Sequence, residues 1–178
     1  MVTPDQQGRP SISQLALQIA LAQVGQRETP GRENSGPMID KYLAAVGLPP
    51  GYAWCQAFVN WCYEEAALQL STPEPVPNTG GVLECWRRTP DNMRISAKAI
   101  QARPEILLPG DQFIMKVGTK GAGHTGLIVN VRGNKLLTVE GNTNDEGSRE
   151  GYEVAMRTRN VLMPELLGAI RYTTPGFS

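Results

Sequence analysis

The sequence predicts an α+β domain, with N-terminal helices packed on a mostly antiparallel sheet of about five strands. Three observations point there. Apolar residues of the first half recur at helical spacing, whereas those of the second half fall into short strand-like runs separated by Gly, Asn and Pro. The length, 178 residues, suits one domain. A chain of this size buries roughly 70% of its unfolded surface, so it needs no disulfide or metal to hold a core.

The helices come first. Ser11-Ile12-Ser13-Gln14 has the Ser-x-x-Gln form of a capping box, after which Ile12, Leu15, Ala16, Ile19 and Ala22 form a stripe that Gly25 can close. A second helix is expected from Pro37 to Gly47, with Met38, Tyr42 and Val46 on one face. A third follows Pro49-Pro50-Gly51, with Cys55, Phe58, Val59, Cys62 and Ala66 along one stripe, and stops before Pro73. After the loop from Pro73 to Gly81, Val82, Leu83 and Trp86 suggest a short fourth helix.

The strands follow. Pro109-Gly110-Asp111 is a turn leading into Gln112 to Val117. The glycine-rich loop from Gly118 to Gly123 opens a strand from His124 to Val131, and a tight turn near Arg132 to Asn134 leads to Lys135 through Glu140. A polar loop, Gly141 to Gly147, precedes strands at Tyr152 to Asn160 and Leu167 to Tyr172. Residues 1–10 read as a flexible N-terminus, 11–172 as a single domain and 173–178 as a tail.

Composition narrows the chemistry. Lys plus Arg and Asp plus Glu number 17 each, so a basic footprint for nucleic acid or an anionic membrane is absent, and neither is expected as a partner. Charged residues at 19% and apolar residues at 40% fit a folded protein rather than a disordered one. There is 1 His, which excludes a multi-His metal site and leaves His124 as the only imidazole for acid–base work. The 3 Cys lack paired spacing, so a disulfide framework is not expected. The polar start lacks the basic and apolar regions of a signal peptide, and Leu15 to Val24 is too short and too polar to span a bilayer. The reading is a chain made in the cytoplasm that reaches any outside target by lysis or dedicated delivery.

Cys55 is expected at the N-terminus of the third helix. There the helix dipole and unpaired N–H groups favour thiolate, and the same groups can hold an oxyanion. Burial is the common state of cysteine, so position alone leaves packing open, and for Cys62 and Cys85 packing is the stronger reading. His124 stands at a strand end beside a loop, and a Cys with a distant His is the minimum for an activated thiol. Glu140 and Asn142 close the next strand and could fix the imidazole. Side-chain alternation decides whether they reach it. Leu127, Val129 and Val131 on one strand, with Leu137 and Val139 on the next, read as one apolar face, which puts His124, Glu140 and Asn142 together on the other. That parity requires a three-residue turn, Arg132 to Asn134, or a bulge nearby, because a two-residue Gly133-Asn134 loop with regular pairing would separate His124 from Glu140.

Tyr52-Ala53-Trp54-Cys55-Gln56-Ala57-Phe58-Val59-Asn60-Trp61 resembles the Cys motif of CHAP domains (cysteine, histidine-dependent amidohydrolase/peptidase). Pro109-Gly110-Asp111 is similar to the turn before their first strand. Gly123-His124-Thr125-Gly126-Leu127-Ile128-Val129 is similar to their His motif, and Val139-Glu140-Gly141-Asn142-Thr143-Asn144 to their Glu-x-Asn motif. Gln23-Val24-Gly25-Gln26-Arg27-Glu28, with Asn34-Ser35-Gly36-Pro37, resembles the segment before the Cys in many wall-degrading members, so the similarity runs from about Leu15 to Tyr172.

The resemblance implies a papain-like fold and cleavage of a peptidoglycan amide by an amidase or endopeptidase. Cys55 would be the nucleophile, His124 the base and Glu140 the residue orienting it, with Asn142 assisting or substituting. Tyr52 becomes the candidate for helping bind the oxyanion, although Ala53 and Trp54 make the local match imperfect. Glu28, Asn34, Trp54 and Trp86 become candidates for lining the cleft, with packing or capping as the alternative role for each. Some members bind calcium through clustered acids near the Cys helix. No such Asp-rich loop occurs here, so neither metal nor cofactor is expected. The resemblance fits a phage or prophage lysin or an injected effector, acting as a monomer on peptidoglycan, with an immunity or delivery protein as a candidate partner. Three alternatives stand beside it: the same triad acting on a non-wall amide or in acyl transfer, a wall-binding module without turnover, and a structural zinc site from Cys55, Cys62, Cys85 and His124.

Overall fold

The computed structural model describes residues 10–118, 121–143 and 151–173. The expectations for the N-terminus before Pro10, for the last five residues and for the inner parts of the two loops lie outside the described residues. Helix α1 (Ile12–Ala22) starts where the capping box placed it: Ser11 Oγ accepts the Gln14 N–H at 3.2 Å, and Gln14 Oε1 accepts the Ser11 N–H at 2.8 Å. Helix α2 (Ile39–Ala45) begins two residues after Pro37, and Asp40 Oδ1 accepts the Gly36 N–H at 3.1 Å in the loop before it. Helix α3 (Cys55–Leu70) is the long central helix, and α4 (Val82–Arg88) is the short one expected there.

Two further elements were not expected. Strand β1 (Arg94–Ser96) and helix α5 (Ala97–Ala102) occupy the middle of the chain, with Ser96 Oγ capping α5 at the Ala99 N–H. Three and six residues are too few to show a periodicity. Then come β2 (Gln112–Val117), β3 (Ala122–Arg132), β4 (Lys135–Thr143), β5 (Glu153–Asn160) and β6 (Leu166–Ile170). The sheet has six strands in the order β1-β6-β2-β3-β4-β5, and every neighbouring pair is antiparallel. The fold is α+β. No helix among the described residues is long and apolar enough to cross a membrane.

Both faces of the sheet are covered. Helices α1 to α4 bring Ile12, Leu43, Phe58 and Val59 against Ile114, Leu127, Val139 and Ile170. On the other face, Ile100 of α5 and Leu107 pack with Phe113, Ile128, Leu136 and Val161.

The β3–β4 hairpin corrects one expectation and explains its outcome. The turn has two residues, Gly133-Asn134, since Arg132 pairs with Lys135, and Gly133 supplies the positive φ of 55° that a short hairpin turn needs. Parity is restored by a bulge between Ile128 and Asn130, beyond which Leu127 pairs with Val139. The single apolar face is therefore split. Leu127 and Val129 pack under the helices, Val131 joins Ile128 on the opposite side, and Leu137 is left 37% exposed.

Candidate active site

Cys55 is the first residue of α3. Its N-cap residue, Trp54, makes no side-chain cap, so the N–H groups of the first turn carry no side-chain partner there. The thiol is nearly buried, at 5% exposure. His124 lies on β3 opposite Met115 of β2 and is fully enclosed. Its Nε2 meets Glu140 Oε2 on β4 at 2.7 Å. The other ring nitrogen, Nδ1, makes no standard hydrogen bond among the described residues.

The electrostatics of the pair run against burial. Burial pushes the imidazole toward neutrality, yet the Cys55 thiol and the Glu140 carboxylate together outweigh it and raise His124 to about 9. Burial likewise pushes Glu140 up, and the Arg159 guanidinium together with His124 reverses this, bringing it down to about 2. The carboxylate is held from three sides. Arg159 on β5 donates Nε–H to Oε1 at 2.8 Å and Nη2–H to Oε2 at 2.5 Å, and the Thr138 hydroxyl donates to Oε1 at 2.6 Å. Gly126 makes the space for this: a Cβ there would lie 2.5 Å from Val139 O and 2.8 Å from Glu140 Cγ.

A buried polar network fixes the Cys helix against the His strand. Gln112 on β2 donates its amide to Gln56 Oε1 at 2.8 Å and to Thr125 Oγ1 at 2.9 Å. Gln56 in turn donates to Asn60 Oδ1, and Tyr172 donates its hydroxyl to Gln112 Oε1 at 2.8 Å. Gln56 follows Cys55 and Thr125 follows His124, so the network spans the residues next to both. It is internally satisfied, which is what allows so many polar groups to be buried together. The Pro109-Gly110-Asp111 turn is clamped by Arg171, whose guanidinium donates to Asp111 Oδ1 and Oδ2 at 2.9 and 2.7 Å.

Among the expected site residues, His124 and Glu140 are in direct contact, and Cys55 at the start of α3 acts electrostatically on the same imidazole. Asn142 sits beyond a second bulge, between Glu140 and Thr143, in a left-handed conformation with φ 54°, and the carboxylate that bonds His124 is that of Glu140. Trp54 does not line the cleft. Its indole is fully buried beside Tyr42 and donates Nε1–H to Glu28 Oε1 at 2.9 Å. Tyr52 is 54% exposed and makes no hydrogen bond to Cys55 or His124. Trp86 packs under Arg94 and against Gly168. Glu28 and Asn34 line a cavity of about 560 Å³ together with Ala53 and Asn142. A second cavity, about 300 Å³, holds Cys55 itself with Ala53, Gly81, Val82, Glu84 and Arg87.

Cys62 and Cys85 lie in the core, where burial raises both thiols, and among the described residues no three His, Cys, Asp or Glu converge as a metal site. The zinc arrangement is thus not assembled. Sequence reasoning missed Arg159, Thr138, Gly126 and the Gln56–Gln112 pair. Arg159 becomes visible only with the strand order, which sets β5 beside β4.

Residues 47–142 match the sequence model of the family described as CHAP domain. The fold is similar to the crystal structure of the endolysin LysIME-EF1, with a TM-score of 0.51 and 17% identity over 89% of this chain and 63% of that one. Ly7917 gives a TM-score of 0.44 and 18% identity over 93% of this chain and 63% of that one. The chain therefore spans less than two thirds of the length of either solved protein. No curated protein shows significant sequence similarity to it.

Proposed function

The chain belongs to the CHAP-domain family, and on that premise we propose that it hydrolyses amide bonds of peptidoglycan through a Cys55 acyl-enzyme. The observation that carries the reading is the buried His124–Glu140 pair braced by Arg159, with Cys55 at the N-terminus of α3 acting on the same imidazole.

Cys55 thiolate attacks the substrate carbonyl, forming the C–S bond. The oxyanion is held by N–H groups of the first turn of α3. His124 gives its proton to the leaving amine as the C–N bond breaks. The neutral imidazole then takes a proton from water, whose hydroxide attacks the thioester and releases the carboxylic acid and the thiolate. Glu140 stays ionised throughout and orients the ring, and Arg159 and Thr138 hold Glu140. The cellular role proposed is wall lysis by a phage or prophage lysin or an antibacterial effector.

Dye release from purified peptidoglycan tests the reaction. Wild type releases soluble fragments bearing new amine termini, and Cys55→Ala does not. Wild type and Cys55→Ala that bind walls equally and release nothing would overturn the hydrolase in favour of a binding module. Mass spectrometry of the fragments identifies the bond cut.

A further inference from the structure

We infer that the cavity beside Asn142 recognises a primary ammonium group on the substrate peptide, a reading that rests on the peptidoglycan hydrolase proposed above. The cavity, about 560 Å³, is lined by Glu28, Glu33, Asn34, Ala53, Asn142 and Tyr152. Ala53 also borders the cavity that holds Cys55, so a group seated here lies next to the bond under attack.

The charged side chains of this cavity are both acceptors, beside asparagine amides and a tyrosine hydroxyl that can donate or accept. Two carboxylates line it. Asn142 is 1% exposed, and its Oδ1 is buried without a hydrogen-bond partner among the described residues. A buried acceptor without a donor is costly, and one at the wall of a cavity is satisfied by a ligand that donates. An ammonium carries three donors and no acceptor, which matches two carboxylates and an amide oxygen.

The acceptors are held in place. Glu28 gives Oε1 to the Trp54 indole N–H at 2.9 Å, which leaves its other oxygen for a ligand, and its own N–H donates to Tyr152 O at 2.8 Å. Asn34 O accepts the Gly51 N–H at 2.9 Å, tying the same loop to the approach to Cys55. Of the two cations near it, Arg27 is engaged by Glu153 at 2.9 Å, and Arg32 is exposed beside Glu33. Glu28, Glu33 and Asn34 lie outside residues 47–142, so the pocket is built largely from a segment that the family match does not cover.

Two kinds of wall peptide carry such an amine: one with a diamino-acid side chain and one with a free N-terminus. The test uses a synthetic stem peptide of each kind and its N-acetylated counterpart. Calorimetry on Cys55→Ala reads binding, and wild type reads cleavage. Acetylation of one of the two amines is expected to weaken binding about tenfold or more, the scale of a lost charge-assisted hydrogen bond, and the peptide concerned identifies the source. Adding Glu28→Gln and Glu33→Gln to Cys55→Ala should abolish that discrimination. Glu33→Gln alone, at an exposed position that cannot disturb the core, should reduce it. Equal binding of all free and acetylated forms overturns the pocket assignment whether or not the peptides are cleaved. Discrimination in binding without cleavage by wild type overturns the hydrolase reading instead. Calcium binding that displaces the amine peptide and is lost in the same variants would reassign the acceptors to a metal and also overturn the proposal.

Discussion

At the scale of the residue, the imidazole is the informative group, because His124 is the sole histidine and its titration can be read without assignment. Its shift to about 9 has a definite sign. In the proposed mechanism the ring must be the cation that protonates the leaving amine, which it is below that pH; above it the proton is gone. Activity should therefore hold through neutrality and fall as pH rises through about 9, with the one imidazole NMR signal titrating in the same range. The raised value also contributes stability that is complete below 6.5 and lost as pH rises through 9. Glu140→Gln removes a charge that raises the ring, so the alkaline limb should move toward neutral. An unchanged limb would mean that Glu140 does not set the imidazole. Arg159→Met leaves the fully buried Glu140 without its guanidinium. Breaking a buried pair from one side costs about 3–5 kcal/mol, so the melting temperature should drop by roughly 6–20 °C. Arg159→Lys keeps the charge but not the two-pronged geometry and should fall between. A variant as stable as wild type would remove Arg159 from the site.

At the scale of the element, what could be read from the sequence depended on length. The capping box at Ser11, the stripe from Cys55 to Ala66 and the strands that carry His124 and Glu140 are long enough to show a period, and their bounds lie within a few residues of those expected. Strand β1 and helix α5 are not, and their identity comes from packing against β6. The shared face of His124 and Glu140 could be argued from apolar alternation, but the device could not be chosen. A two-residue turn with a bulge and a three-residue turn give the same parity, and the bulge depends on how Val129 and Val131 divide between two cores. Trp54 entered as a cleft candidate only through the resemblance. Its burial against Tyr42 is a tertiary fact. The glycines of the motifs are legible only in three dimensions. Gly126→Ala would drive a methyl group into Val139 O and Glu140 Cγ, both on β4. Either the hairpin opens or Glu140 moves off His124. The variant should lose at least 1–3 kcal/mol, roughly the cost of overpacking a filled interior, and its activity should drop further than its stability explains. Denaturant unfolding beside dye release separates the two. Full activity in Gly126→Ala would show that Glu140 tolerates displacement.

At the scale of the whole molecule, 17 basic and 17 acidic residues leave no net charge with which to attract an anionic wall over long range. The charges that matter are short-range and enclosed: Glu140 with Arg159 and His124 inside the sheet, and Asp111 with Arg171 at the turn that enters β2. Salt screens such buried pairs far less than it screens surface fields, because counter-ions cannot approach them. Wall recognition should then lie in the cleft, through contacts made after encounter rather than through steering toward it. Raising salt from about 50 to about 200 mM shortens the screening length from roughly 14 to roughly 7 Å, enough to weaken any steering between separated charges. The expected result is that the initial rate of dye release changes less than about twofold over that range. A fall of tenfold or more would show that a charged patch captures the wall, and would move the determinant of wall binding from the cleft beside Cys55 to the outer surface.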